Sequence, residues 1–211
     1  MKLYLSSYRL GDNSDTLSRM IKGSRRVAVI RNALDFSSDR ARLDISRDRE
    51  FADLRSLDLE PVDLDLRDYF ARPLQLRAQL CSVDAVWVVG GNAFILRRAM
   101  SETGLDHLLM SGSLGPEFVY AGYSAGACVA SLTLQGIENV DRPDVVPDGY
   151  PVGPIWDGLG LVHFAIAPHY RSNHPDTEEI EKSVAYFIDH EIPFIKLRDG
   201  EAYVGETSGC V

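Results

Sequence analysis

Apolar residues fall in short continuous or alternating runs, each followed by a longer polar segment rich in helix formers. Lys2–Ser6 alternates as a first strand does, and a turn of small polar residues leads into a short helix over Asp15–Ile21. Arg26–Ile30 is a continuous β-branched run, the pattern of a strand buried on both faces. Ser37, Ser38 and Asp39 offer N-caps to a charged helix from Arg40 to Leu59, although its apolar positions do not gather on one face. Pro61–Leu66 alternates apolar and acidic residues like an edge strand, and Leu74–Leu80 predicts a short helix. Ala85–Val89 is a fourth strand, ended by Gly90-Gly91-Asn92 and followed by helices over Ala93–Glu102 and Leu105–Met110. A strand over Phe118–Tyr123 comes next, and Glu138–Gly160 is a long loop carrying four of the ten prolines. Leu161–Ala167 returns as a strand, and Asp176–His190 is an amphipathic helix with Ile180, Val184, Phe187 and Ile188 on one face. Strands over Pro193–Leu197 and Glu201–Val204 close the chain.

Strand and helix therefore alternate, with crossovers long enough for parallel pairing. This predicts a doubly wound α/β sheet with helices on both faces, in one domain over residues 1–211. In such sheets a ligand sits beyond the carboxyl ends of the strands. Gly90–Asn92 and Ser124 both lie at such ends and are expected to face one cleft.

Composition narrows the partners. A formal net charge of −9 argues against nucleic acid or an anionic membrane surface. Cys81, Cys128 and Cys210 are odd in number and widely spaced, so neither a disulfide framework nor a zinc site is indicated. Met1-Lys2-Leu3 opens into a strand pattern instead of a signal peptide, and no apolar run approaches transmembrane length. The expected compartment is the cytoplasm, and the expected assembly a monomer or homodimer.

Gly122-Tyr123-Ser124-Ala125-Gly126 sits between the apolar strand and the helix-compatible run Ala127–Ala130. That order is the context of a nucleophile elbow, in which a tight turn lifts a serine hydroxyl clear of the sheet. The positions two before and two after the serine must be small, because strand and helix nearly touch there; both are glycine. Serine hydrolysis also needs a base, an acid to orient it and donors for the oxyanion. His169, just past a buried strand, is the best base; His163 inside that strand reads as a hydrogen-bonded core histidine. His174 and His190 read as solvated, and His107 as a helix-surface residue. The spacing of His163, His169 and His174 matches no metal-binding pattern, so no metal and no cofactor is expected. For the acid, Asp199 and Glu201 follow the next strand, while Asp141 and Asp157 precede the histidine. The backbone amides of Ala125 and Gly91 are the candidate oxyanion donors.

Four segments together, Val88–Phe94, Gly122–Ala127, Ile166–Tyr170 and Leu197–Gly200, resemble serine peptidase family S51, which includes dipeptidase E (α-aspartyl dipeptidase) and the cyanophycinases. The resemblance implies a three-layer α/β/α sandwich with a mostly parallel sheet, akin to class I glutamine amidotransferases, and the elbow at Ser124. It implies Ser124 as nucleophile, His169 as base, Asp199 as acid, Gly91 at the oxyanion and Asn92 near the substrate; Glu201, on the other side of Gly200, is the alternative acid. Two departures bear on substrate. Glu138-Asn139-Val140-Asp141 is only an approximate counterpart of the family's Asn-Asp pair, and Ala-Pro-His-Tyr replaces Asn-Pro-His-Phe. The expected function is a serine exopeptidase acting on dipeptides or short peptides, including those with N-terminal Asp. Glu138 or Asp141 is the expected contact for the substrate ammonium, Arg171 for a carboxylate, and Tyr170, beside the histidine, is a further expected substrate contact. The alternatives are an α/β-hydrolase-type esterase, whose acid would be Asp157 or Asp141, and a catalytically silent binding protein on the same fold.

Overall fold

Successive strand residues face two different apolar cores, which is what a sheet covered on both sides requires. The computed structural model describes residues 1–207. Its elements run β1 (Lys2–Ser6), α1 (Ser14–Met20), β2 (Arg26–Ile30), α2 (Arg40–Arg55), β3 (Glu60–Asp63), α3 (Pro73–Leu80), β4 (Ala85–Val88) and α4 (Ala93–Thr103). They continue as α5 (Leu105–Met110), β5 (Val119–Tyr123), α6 (Ala125–Cys128), β6 (Ala165–Ala167), α7 (Thr177–Asp189), β7 (Phe194–Lys196) and β8 (Ala202–Glu206). Six strands form one sheet in the order β3-β2-β4-β5-β1-β8, all parallel except β8, which pairs antiparallel with β1.

Val86, Val88 and Tyr120 pack with Leu76, Phe94, Leu105 and Ile180 on one side of the sheet. Trp87, Val119 and Ala121 pack with Leu17 and Leu54 on the other. The expected three-layer α/β/α sandwich results, with α3–α7 on one face and α1 and α2 on the opposite face.

The expected edge strand forms as β3, and the charged helix forms as α2 with Asp39 as its N-cap, accepting from the amide of Arg42 at 3.1 Å. It stops at Arg55, short of Leu59, because the chain turns through Asp58 at φ 57° to enter β3. Its scattered apolar pattern has a cause: besides Leu54, the residue it buries fully is Glu50.

The expected strand over Leu161–Ala167 shrinks to Ala165–Ala167 and leaves the main sheet. The amides of Leu161 and Val162 both turn back to the carbonyl of Ala130. One edge of β6 pairs with β7; the other is taken by side chains, Ser131 Oγ accepting from the amide of Ile166 and Cys128 Sγ donating to its carbonyl. His163 is thereby an exposed loop residue and not the core histidine expected.

The long loop after Glu138 is pinned from below. Arg98 of α4, wholly buried, donates to the carbonyl of Val145 at 2.6 Å and more weakly to those of Pro143 and Gly153. Cys210 lies outside the described residues. No helix among the described residues is long and apolar enough to cross a membrane.

Candidate active site

Ser124 sits between β5 and α6 with φ 51° and ψ −117°, a conformation that costs energy for any residue with a side chain. The two flanking glycines are required by contact distance. A Cβ on Gly126 would lie 2.2 Å from the carbonyl oxygen of Val88, and one on Gly122 3.0 Å from the backbone of Gly126. Gly90 approaches from β4, where a Cβ would meet Ser124 Cβ at 2.9 Å. The amides of Gly91 and Ala125 make no hydrogen bond among the described residues, leaving two donors free beside the serine. Gly91 holds φ 145° against the carbonyl of Ala33, a position closed to other residues.

His169 and Asp199 are brought together by β6 and β7. Their parallel register continues past the strand ends, the amide of Leu197 donating to the carbonyl of Ala167 and that of Tyr170 to the carbonyl of Leu197. The two turns that follow place His169 Nδ1 2.7 Å from Asp199 Oδ1. His169 is 1% exposed; its Nε2 is buried and makes no hydrogen bond. Burial pushes its pKa below the ordinary value of 6.5; the Asp199 hydrogen bond opposes that shift, and His174 adds to it. Ser124 and His169 line the same cleft without a hydrogen bond between them.

Ser7, which sequence reasoning passed over, joins all three. Its carbonyl accepts from the amide of Ser124 at 3.2 Å, and its Oγ accepts from the amide of His169 at 2.7 Å. The same hydroxyl donates to Asp199 Oδ1 at 2.8 Å. Nothing in a serine after a strand signals this role; it arises because β1 lies between β5 and the turn at Gly200.

His174 is not the solvated residue expected. Its ring stacks on that of His169 at 3.6 Å and 6°, and Tyr8 meets both edgewise. Glu201 turns away, accepting from the amide of Arg198 at 2.7 Å. Asp157 is exposed and offers its carbonyl to Arg97.

The cleft has two lobes meeting at Ser124, His169 and Asp176. The narrow lobe, with room for about one water molecule, is lined by Cys128, Ile137 and Asp141. Asp141 Oδ2 accepts from the amide of Ala93 at 2.8 Å, and burial raises its carboxyl to about 7. The wide lobe is lined along one side by α2. The remaining sequence candidates lie outside both lobes. Asn92 caps α4 and binds the carbonyl of Arg142. Arg171 is exposed, pairing with Glu181 and covering Tyr170. Glu138 buries an unpartnered Oε2. No group of three or more His, Cys, Asp or Glu among the described residues is arranged to hold a metal ion.

The family model of Peptidase family S51 matches residues 41–208. Peptidase E of Streptomyces coelicolor is 35% identical over 128 residues, covering 58% of this chain and 49% of its own. A Drosophila melanogaster protein provisionally named alpha-aspartyl dipeptidase is 31% identical over 150 residues, covering 67% of this chain and 58% of its own. The chain thus spans about half to three fifths of the curated relatives it matches. Among solved structures, a Listeria monocytogenes protein provisionally named peptidase E superposes with TM-score 0.69 over 98% of both chains at 24% identity. A peptidase from an acI-B1 actinobacterium gives TM-score 0.68 at 15% identity, over 97% of this chain and 83% of its own, and at these identities both bear on the fold alone.

Proposed function

The chain belongs to peptidase family S51, and from that premise we propose that it is a serine exopeptidase hydrolysing dipeptides or very short peptides. The observation that carries the reading is His169. Asp199 holds its Nδ1 at 2.7 Å, while its Nε2 is buried, unpartnered and in the cleft with Ser124.

Ser124 Oγ attacks the peptide carbonyl as His169 Nε2 takes its proton. The oxyanion forms against the amides of Gly91 and Ala125, donors with no competing acceptor among the described residues. His169 then gives the proton to the leaving amine, and the acyl group on Ser124 is released by water that His169 deprotonates in turn. Asp199 keeps the proton on Nδ1, so that Nε2 faces the serine as an acceptor, and stabilises the imidazolium. The free amino terminus of the substrate faces Asp141 and Asp176 at the narrow lobe, which leaves no room for a residue before it and so makes the enzyme an exopeptidase.

The esterase arrangement finds no support in the geometry, since His169 Nδ1 is held by Asp199, while Asp141 accepts from the amide of Ala93 and Asp157 is exposed. The test is a panel of X-Leu and Asp-X dipeptides assayed for released amino acid. Turnover by the wild type and none by Ser124→Ala is expected. Equal turnover by both proteins would remove the serine from the mechanism, and no turnover of any peptide would favour a silent binding protein.

A further inference from the structure

Resting on that reading, we propose that Arg49 and Arg42 of α2 form a carboxylate subsite that holds the free C-terminus of the leaving residue. The wide lobe is anomalous for this chain. Against a net charge of −9, it is lined by two arginines and a single acid, Asp176, which sits at the junction with the narrow lobe.

Arg49 is built into place. Glu50, wholly buried, accepts from Arg49 Nη2 at 2.8 Å and Nε at 3.3 Å, from Tyr123 Oη at 2.9 Å and from Trp87 Nε1 at 2.9 Å. Tyr123 is the residue before Ser124, so the guanidinium is braced against the elbow itself. Its Nη1 makes no hydrogen bond among the described residues, and Arg49 lines the lobe. Two turns back along α2, the Arg42 guanidinium also has no partner among the described residues and lines the same lobe. The unpartnered Nη1 of Arg49 can donate to a carboxylate oxygen, and the fixed geometry of its guanidinium lowers the ordering cost of binding one.

The rest of the lobe suits an apolar residue beside that carboxylate. Phe36 and Ile45, respectively 49% and 70% exposed, line it along with Leu34 and Leu43. Exposed apolar side chains concentrated at a cleft mark a binding surface. The two lobes then read a dipeptide by its ends, the ammonium against Asp141 and Asp176, the carboxylate against Arg49 and Arg42, with the scissile carbonyl at Ser124 between them. A C-terminal amide or an extended peptide loses the second anchor. The substrate class is therefore dipeptides with an apolar second residue and a free carboxylate.

The experiment measures binding by calorimetry in the Ser124→Ala protein, so that no ligand is consumed, using Ala-Leu, Ala-Leu amide and Asp-Leu amide. Arg49→Gln is expected to weaken Ala-Leu by about 10–100-fold, as loss of a charge-assisted contact does, and to leave both amides within about twofold. Arg42→Gln touches neither Glu50 nor the elbow and guards against a folding defect at Arg49; it should weaken Ala-Leu alone by about 3–10-fold. Equal weakening of acid and amide, or no change in either variant, overturns the subsite, as does failure of Ala-Leu to bind. Weakening of Asp-Leu amide alone would assign the arginines to an acidic side chain and overturn the C-terminal assignment. If Ala-Leu binds with the expected discrimination but the wild type does not cleave it, the subsite stands and the hydrolytic reading fails.

Discussion

Replacing Asp199 by asparagine separates the proposed mechanism from its rivals, because the substitution keeps the shape and removes the charge. Asp199 Oδ1 lies 2.7 Å from His169 Nδ1. With charge centres about 4 Å apart and an effective dielectric of about 20, the imidazolium gains about 4 kcal/mol from that carboxylate. This corresponds to about three decades in rate. Asp199 is 25% exposed, so solvent screens part of the interaction. The expected loss in kcat/KM is therefore about 10²–10³, below the roughly 10⁴ known for the same change at a buried triad aspartate. The substituted side chain still offers Ser7 Oγ a carbonyl acceptor, and the turn should hold. A second readout follows from the sign of the histidine shift. Burial lowers the His169 pKa and Asp199 raises it, so removing the charge moves the acid limb of the kcat/KM profile further below pH 6.5. The assay is kcat/KM on the best dipeptide from about pH 4 to 9, with thermal unfolding checked for each protein. Glu201→Gln and Asp157→Asn should each cost less than about tenfold, since neither carboxylate faces the histidine. An Asp199→Asn enzyme retaining more than about a tenth of wild-type kcat/KM would refute this reasoning.

Ser124→Ala should lower turnover by about 10⁴ or more with the unfolding temperature unchanged, because the hydroxyl makes no hydrogen bond among the described residues; residual cleavage near the wild-type rate would count against the nucleophile. Asp141 has its folded pKa raised from 3.8 to about 7, so the wild type loses stability as pH rises between those values and no further above them. Asp141→Asn keeps an acceptor for the Ala93 amide; its stability gain should grow from about pH 4 to 7 and then level, while KM for free-amine dipeptides rises. A pH-independent gain in unfolding temperature would contradict the assignment. Gly126→Ala puts a methyl 2.2 Å from a backbone oxygen and should cost more than about 3 kcal/mol or prevent folding, read by denaturant unfolding. Cys128 is buried with its thiol pushed up by burial, so mass spectrometry after a thiol reagent should find exposed Cys81 modified and Cys128 intact, with activity preserved.

The periodicity of the chain is enough for the strands and helices of the sheet, because runs such as Val27–Ile30 and Ala85–Val88 are buried on both faces and leave no polar position to blur them. It is enough for the elbow as well. Gly122 and Gly126 are dictated locally by the approach of a helix to the strand it leaves, and a local constraint leaves a local motif. The apolar run Leu161–Ala167 misleads as a strand pattern, because its first half spends its amides on the Ala130 carbonyl.

What no stretch of sequence contains is contact between distant segments. Ser7 reaches Asp199 across 192 positions, and Arg49 enters the cleft only because Glu50, one more charge on a polar helix as sequence, is buried beneath Trp87 and Tyr123. His174 reads as solvated until a turn lays its ring on His169. Arg171, two residues from the histidine, faces solvent, while Arg49, far away in sequence, faces the cleft. Proximity along the chain predicts a shared site only where the backbone between is a regular element. At turns with left-handed residues such as His169 (φ 58°) and Arg171 (φ 49°), neighbouring side chains diverge, and tertiary packing decides which of them meets the substrate.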